Sequence, residues 1–410
     1  MTEQGNKNGR NKNGRNKNEK NKKNTIFASI LVATTAIGPG FLTQTAVFTQ
    51  EHRASFGFAI LVSLILAAVA QLNIWRVLCH TGLRGQELAN RLLPGLGYGI
   101  ALLIVAGGLI FNIGNVGGGA MGWNTLLGLP MKWGTLLTGA FAIGIFLIRN
   151  AQRAMDYVTT VLSAGIILVV VILILLVHPP IGEAARCTLV PEEPVDSLFP
   201  AVLTLLGGTI GGYITFSGAH RLIADGVTGA EHQPEVTRSA LSGIGIAAGL
   251  RFLLFLAILG VVNLGAVLGS ENPIVDVFAA GAGPLGTYFA GIVLVCASAV
   301  PVLGAAYTSV SFFKTFHPAL ERREKELTIA MIALSTLCMF LLGRPAALLI
   351  LAGAVNGLIL PVTLFVCLIA ARCRKIVGKE YRHPAWLWIA GFLVALLSAV
   401  MGAASIGELL

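Results

Sequence analysis

Polar side chains are rare inside the apolar runs of this chain, and many of them fall beside two clusters of helix-breaking residues. The first cluster is Ile37-Gly38-Pro39-Gly40-Phe41, with Thr43 and Gln44 just after it. The second is Gly207-Gly208-Thr209-Ile210-Gly211-Gly212-Tyr213. A helix broken inside a membrane leaves N–H and C=O groups without intrahelical partners, and lipid supplies none. Such breaks persist only where they are buried in protein or line a cavity. The chemistry on offer is recognition by backbone groups. Carbonyls near Gly38 and Gly211 are candidate metal ligands, whereas free N–H groups at a half-helix N-terminus favour an anion. Gly38, Pro39, Gly40, Phe41, Thr43, Gln44, Thr209, Gly211, Gly212 and Tyr213 are candidate substrate-binding residues on this ground.

Other candidates lie elsewhere in apolar runs. Asn112 and Asn115 are three apart, on one helical face, and Asn356 sits in mid-run. Each amide suits either substrate contact or interhelical hydrogen bonding. His220 follows the second break and is a candidate for coupling or gating, with a helix end facing water as the competing reading. Arg251, within Gly249-Leu250-Arg251-Phe252-Leu253, is a charge deep in a span and a functional hypothesis by default. It would repel a nearby cation and attract an anion. The competing reading has it snorkel to the surface or pair with Asp225 or Asp156. Gly117-Gly118-Gly119 reads as close helix packing. The six cysteines show no metal or disulfide spacing and read as small apolar residues. No nucleophile–base pair, nucleotide motif or metal-ligand cluster is present, so the expectation is neither an enzyme nor a cofactor-binding protein.

These positions require a membrane scaffold. The chain has 410 residues, 55% hydrophobic and 12% charged, about half the charge of a soluble domain. Runs of about 20 apolar residues predict an all-α membrane protein of eleven spans: 25–50 (broken), 56–79, 98–122, 133–149, 157–178, 198–222 (broken), 240–264, 285–310, 328–343, 346–371 and 385–406. The first five spans open with a broken helix and so do the next five. An odd number per half inverts the second, giving a five-plus-five inverted repeat (25–178 and 198–371) with one extra span, the arrangement of secondary transporters that bind substrate at the breaks. Residues 25–410 form one transmembrane domain. Residues 1–24 hold eight Lys/Arg against two Glu in a low-complexity run, expected to be a disordered tail touching anionic headgroups rather than nucleic acid. Sixteen Lys/Arg fall in one set of loops and four in the other, which predicts a cytoplasmic N-terminus, an outer C-terminus and, by expectation, the plasma membrane.

Several stretches in order resemble the NRAMP family of divalent-metal transporters. Asn112-Ile113-Gly114-Asn115-Val116, Trp123-Asn124-Thr125-Leu126-Leu127-Gly128-Leu129-Pro130 and Trp133-Gly134-Thr135-Leu136-Leu137-Thr138 follow the family's third and fourth helices. Ser55-Phe56-Gly57-Phe58 is similar to the opening of its second, Arg153-Ala154-Met155-Asp156 to that of its fifth, and Leu360-Pro361 to its tenth. The resemblance spans roughly residues 25–375 and implies a LeuT-like fold. It also exposes departures. Gly38-Pro39-Gly40-Phe41 stands where the family has the metal-ligating Asp-Pro-Gly-Asn, and Gly211-Gly212-Tyr213 where it has Met-Pro-His. Asn112 and Asn115 replace proton-transfer acids and cannot titrate. Ile359 replaces a Gln.

The resemblance implies a carrier working by alternating access, the first and sixth spans rocking against the third, fourth, eighth and ninth. Its leading substrate is a divalent ion, hydrated Mg²⁺ or similar, because a hard ion keeps its waters and no soft ligand is offered. The usual proton coupling is expected to be lost. The alternative is an amino acid or other small organic solute bound at the breaks, since Gly-x-Gly before an apolar residue resembles the first break of amino-acid transporters of this fold. A non-transporting sensor is the third class.

Overall fold

The computed structural model describes residues 38–148 and 151–407. The predicted tail 1–24, the start of the first span and the side chain of Asp156 lie outside the described residues. Helices α1 to α5 are Pro39–His52, Phe56–Thr81, Gly85–Leu92, Leu96–Leu127 and Met131–Leu147. Helices α6 to α10 are Ala151–Val177, Ile181–Leu189, Phe199–Ile210, Tyr213–Ala224 and Gln233–Asn263. Helices α11 to α16 are Pro273–Phe313, Pro318–Glu321, Glu324–Leu342, Pro345–Arg372, Arg374–Val377 and Ala385–Gly407. No strand occurs among the described residues.

Eight of these helices or helix runs are long and apolar enough to cross a membrane, nine if α6 and α7, bent by 111°, count as one span. Four of the eleven predicted stretches do not stand alone by this measure: 25–50, 56–79, 133–149 and 157–178. α1 and α2 run together as Pro39–Thr81, and Met131–Leu147 is a shorter apolar helix. α11 starts well before the predicted 285, because a kink at Gly283 (φ 60°) followed by Pro284 divides it.

Burial separates the centre of the bundle from its rim. Within an apolar 18-residue stretch of each, 72% of residues are buried in Val195–Ala224 and in Pro273–Phe313, against 28% in Glu324–Leu342 and 39% in Ala385–Ser405. The rim helices present Leu337, Leu341, Ile389 and Leu393 outward, as lipid-facing surfaces do. Lipid tails are as apolar as these side chains, so helix association rests on close van der Waals contact between small residues. α4 illustrates this. Pro39 seats against Gly118, and a side chain at Gly119 would meet Ser298 and Thr138 at 2.6 and 2.7 Å. The triple glycine is packing, and it brings the start of α1 against α4.

The second break falls where the glycines forecast it. α8 ends at Ile210 and α9 begins at Tyr213. Between them Gly211 is extended and Gly212 adopts φ 52°, ψ −123°, a conformation costly for any residue with a Cβ. The first break is visible from Gly38, which precedes Pro39 at the first helical position. The fixed φ of proline and its missing N–H suit that position.

Candidate substrate cavity

The starts of α1 and α9 converge on a cavity of ≈ 130 Å³. Gly38, Gly40 and Phe41 come from α1 and its cap, Gly208 and Thr209 from α8, and Tyr213, Ile214, Ser217, Gly218 and Arg221 from α9. α2 supplies Gln71 and Trp75, α4 Phe111 and Asn115, α10 Gly243, Ile244 and Ala247, and α11 Val300, Pro301 and Gly304. Phe111 and Tyr213 meet edge to face at 5.5 Å. Trp75 donates its indole N–H to the Thr215 carbonyl at 2.9 Å, which fixes its ring against α9. The cavity runs from the breaks to Arg221, an exposed residue near the end of α9.

The opposite end is tied shut. The Gln50 amide of α1 exchanges two hydrogen bonds with the backbone of Leu268. His52 bonds Glu193 at 2.8 Å, and Arg53 donates to the Val262 carbonyl at 3.3 Å. Arg53 itself has φ 48°, a strained value for a non-glycine residue.

Of the residues singled out from sequence, Gly38, Gly40, Phe41, Asn115, Thr209 and Tyr213 line this cavity. The Asn115 amide is buried beside the Tyr213 hydroxyl, with which it interacts. Thr209 satisfies its hydroxyl on the Leu205 carbonyl at 2.7 Å.

Pro39, Thr43, Gln44, Asn112, Gly211, Gly212 and Asn356 are not among its walls. Pro39 packs on Gly118, and Gly211 lies against the Asn356 carbonyl. Gln44 donates to the Leu349 carbonyl at 2.9 Å and Asn112 to the Ser335 hydroxyl at 3.1 Å. Asn356 donates to the carbonyls of Gly107 (3.1 Å) and Ala352 (2.8 Å), and its oxygen lies against Gly212. The Thr43 hydroxyl is buried without a partner. His220 accepts from the Gly85 N–H at 3.2 Å and stacks on Phe312, beyond the cavity.

Arg251 is 3% exposed. Snorkelling to the surface is therefore wrong for this residue, and pairing with Asp225 does not occur. Among the described residues neither guanidinium Nη atom has a hydrogen-bond partner. Its guanidinium carbon lies 4.2 Å from the centroid of the Phe41 ring, a cation–π contact.

Sequence reasoning missed Gln71, Trp75, Phe111, Ser217, Arg221, Pro301 and Gly304 as walls. Pro301 carried a signal, since a proline inside a span removes a backbone N–H and frees a carbonyl. Among the described residues no Asp or Glu lines the cavity, and no group of three His, Cys, Asp or Glu could hold a metal ion.

The membrane protein YcsG of Bacillus subtilis is 49% identical over 375 residues, 92% of each chain. A manganese transporter of Eremococcus coleocola shares the fold, with a TM-score of 0.72 at 17% identity over 93% of this chain and 85% of that one. MhsT, solved in complex with L-phenylalanine, gives a TM-score of 0.66 at 14% identity over 92% of this chain and 98% of that one. The LeuT-like fold is thus shared with a manganese transporter and with a protein solved bound to L-phenylalanine. Residues 29–408 match the family described as natural resistance-associated macrophage protein-like, so this integral membrane protein belongs to the Nramp family of transporters.

Proposed function

We propose that the chain is a secondary carrier whose substrate is a small organic solute bearing an anionic group, held in the cavity between the two breaks. The charge inventory carries this reading. Two half-helix N-termini, those of α1 and α9, meet at the cavity, each with about half a positive charge, against the C-terminus of α8 with about half a negative one. Arg221 is in the wall, and Arg251 lies behind Phe41. No described carboxylate opposes them there. A bare divalent cation would meet repulsion and a large desolvation cost. An anionic group would meet complementary potential, and the rings of Phe41, Trp75, Phe111 and Tyr213 would cover an organic body. The conformation fits a carrier open on the side of Arg221, read as cytoplasmic, and closed at Gln50 and His52. On this proposal residues 25–178 and 198–371 are the two inverted halves, and the acid-to-amide change at Asn112 and Asn115 leaves no proton relay in α4.

A hydrated hard ion such as Mg²⁺ is the second reading. Membership in the Nramp family favours it, as do the neutral oxygens of Asn115, Thr209 and the break carbonyls. Calorimetry on the purified chain separates the two. Small carboxylates and amino acids binding in the absence of metal support the first, and Mg²⁺ binding with silence toward organics supports the second. Gly304→Leu is the control. A Cβ at Gly304 meets nothing within 4 Å and Gly304 lines the cavity, so leucine there is expected to fill the cavity and abolish either signal. Binding unaffected by Gly304→Leu would remove the cavity from consideration. A chain that binds nothing and drives no flux would be a sensor.

A further inference from the structure

We infer that Arg251 and the space beside it form a carboxylate subsite, closed in this conformation by the Phe41 ring. The inference rests on the organic-anion reading above and makes it specific.

A second cavity, ≈ 20 Å³, is lined by Arg251, Phe41, Ser63 and Thr209 among others. That is room for one water-sized oxygen. It shares Phe41, Thr209, Ile244 and Ala247 with the main cavity, so the two spaces adjoin across these residues, of which Phe41 has the largest side chain. Arg251 is buried and, among the described residues, makes no hydrogen bond through either Nη and no ion pair. A guanidinium has five donors in a planar fork that matches a carboxylate. A cation left in this state costs the fold free energy unless a ligand compensates it. The aromatic face of Phe41 is a weak substitute that an anion would displace. The hydroxyls of Ser63 and Thr209, which donate to the carbonyls of Ile60 and Leu205, accept no hydrogen bond from either Nη. The geometry assigns the body of the solute to the main cavity and its carboxylate to Arg251, with Phe41 rotating aside on binding. A cavity of about 150 Å³ holds benzene, so a volume of ≈ 130 Å³ sets the body at about five or six non-hydrogen atoms.

The test uses the full chain in detergent. Acetate, lactate and benzoate, up to 100 mM by design, are compared with acetamide, lactamide and benzamide by thermal shift and calorimetry. The carboxylates are expected to bind at least about tenfold tighter than the amides, in line with the worth of a charged hydrogen bond. Arg251→Gln should erase that preference and Arg251→Lys should keep part of it. Phe41→Leu, which uncovers the guanidinium, should strengthen acetate binding several-fold. Ligand-free Arg251→Gln should be as heat-stable as the parent or more so, because an uncompensated charge is gone. A structural role for Arg251 predicts the reverse. The inference is overturned if no carboxylate outperforms its amide, if Arg251→Gln binds carboxylates like the parent, or if chloride at equal concentration does as well as acetate. Carboxylate binding that survives Arg251→Gln but not Gly304→Leu would overturn the subsite while sparing the carrier reading. Survival in both variants would overturn both.

Discussion

Replacing Gly353 by alanine tests whether the seam between α8 and α14 is as tight as its glycines indicate. Gly353 lies opposite Thr204. A Cβ placed on it would stand 2.7 Å from the Thr204 carbonyl oxygen, 2.8 Å from the Thr204 methyl and 2.6 Å from the Gln44 amide nitrogen. Gln44 is flexible and can retreat, but the Thr204 carbonyl belongs to the α8 backbone. Ordinary contact begins at 3.4 Å, so α8 must move by about 0.7 Å or the helix must distort. Overpacking of this kind costs about 1–3 kcal/mol. Alanine in place of helical glycine returns about 0.5–1 kcal/mol. The net runs from no change to a destabilisation of about 2.5 kcal/mol, centred near 1 kcal/mol. Gly249, on α10, is the matched control, because nothing lies within 4 Å of its Cβ position. Gly249→Ala should collect the helical gain alone and raise stability. At the centre of the Gly353→Ala range the two substitutions differ in sign, which protects the comparison from the irreversibility of thermal unfolding in detergent. The assay is the fraction of monodisperse protein left after a temperature series, read by size-exclusion chromatography. Gly353→Ala should also weaken ligand binding, since α8 carries Gly208 and Thr209 into the cavity wall. A Gly353→Ala protein at least as heat-stable as Gly249→Ala would refute the steric argument for this seam.

Three further outcomes follow from the geometry. Gly38→Asp places its Cβ 3.2 Å from Pro301 and 3.7 Å from the Asn115 oxygen, sending a carboxylate into the cavity; calorimetry should show Mn²⁺ binding rise at least about tenfold and carboxylate binding vanish. Gln50→Ala removes the clasp on Leu268 and should raise labelling at Thr209→Cys by an outside-added thiol reagent, in a background without native cysteines; unchanged labelling would exclude the clasp as a gate. His383 accepts from the Tyr381 hydroxyl at Nδ1 (2.8 Å) and donates from Nε2 to Asn73 at 2.9 Å, while burial, then Arg76 and Arg372, lower its pKa from 6.5 to about 4. The folded state therefore holds it neutral, and its contribution is complete above pH 6.5 and fades as pH falls toward 4; melting temperature against pH should slope less over that window in His383→Gln.

What could be read from the sequence depended on how strongly each residue type departs from an apolar helix. Glycine and proline announce a break, so Gly38-Pro39-Gly40 and Gly211-Gly212 located the end of the cavity where the two broken helices meet. A buried charge announces itself too, and Arg251 was conspicuous before any coordinates. Its partner was not, because Phe41 is 210 positions away and looks like any core aromatic. The same anonymity hid Trp75 and Phe111. Asn112 and Asn356 turned to neighbouring helices because a helix apolar on every side gives no sign of which face looks inward. Only contact with Ser335 and Gly107 fixes their rotation.

On the subsite proposal, the Arg251 guanidinium, which has no ion-pair partner among the described residues, is also an electrical element. With the proposed site empty, the centre of the protein would carry a positive charge; with a monoanion bound, that charge would be balanced. The membrane field acts on whatever charge moves through it, at about 2.3 kcal/mol per elementary charge per 100 mV. Reorientation of the empty protein would then be the voltage-sensitive half of the cycle, and passage of the loaded form nearly indifferent to potential.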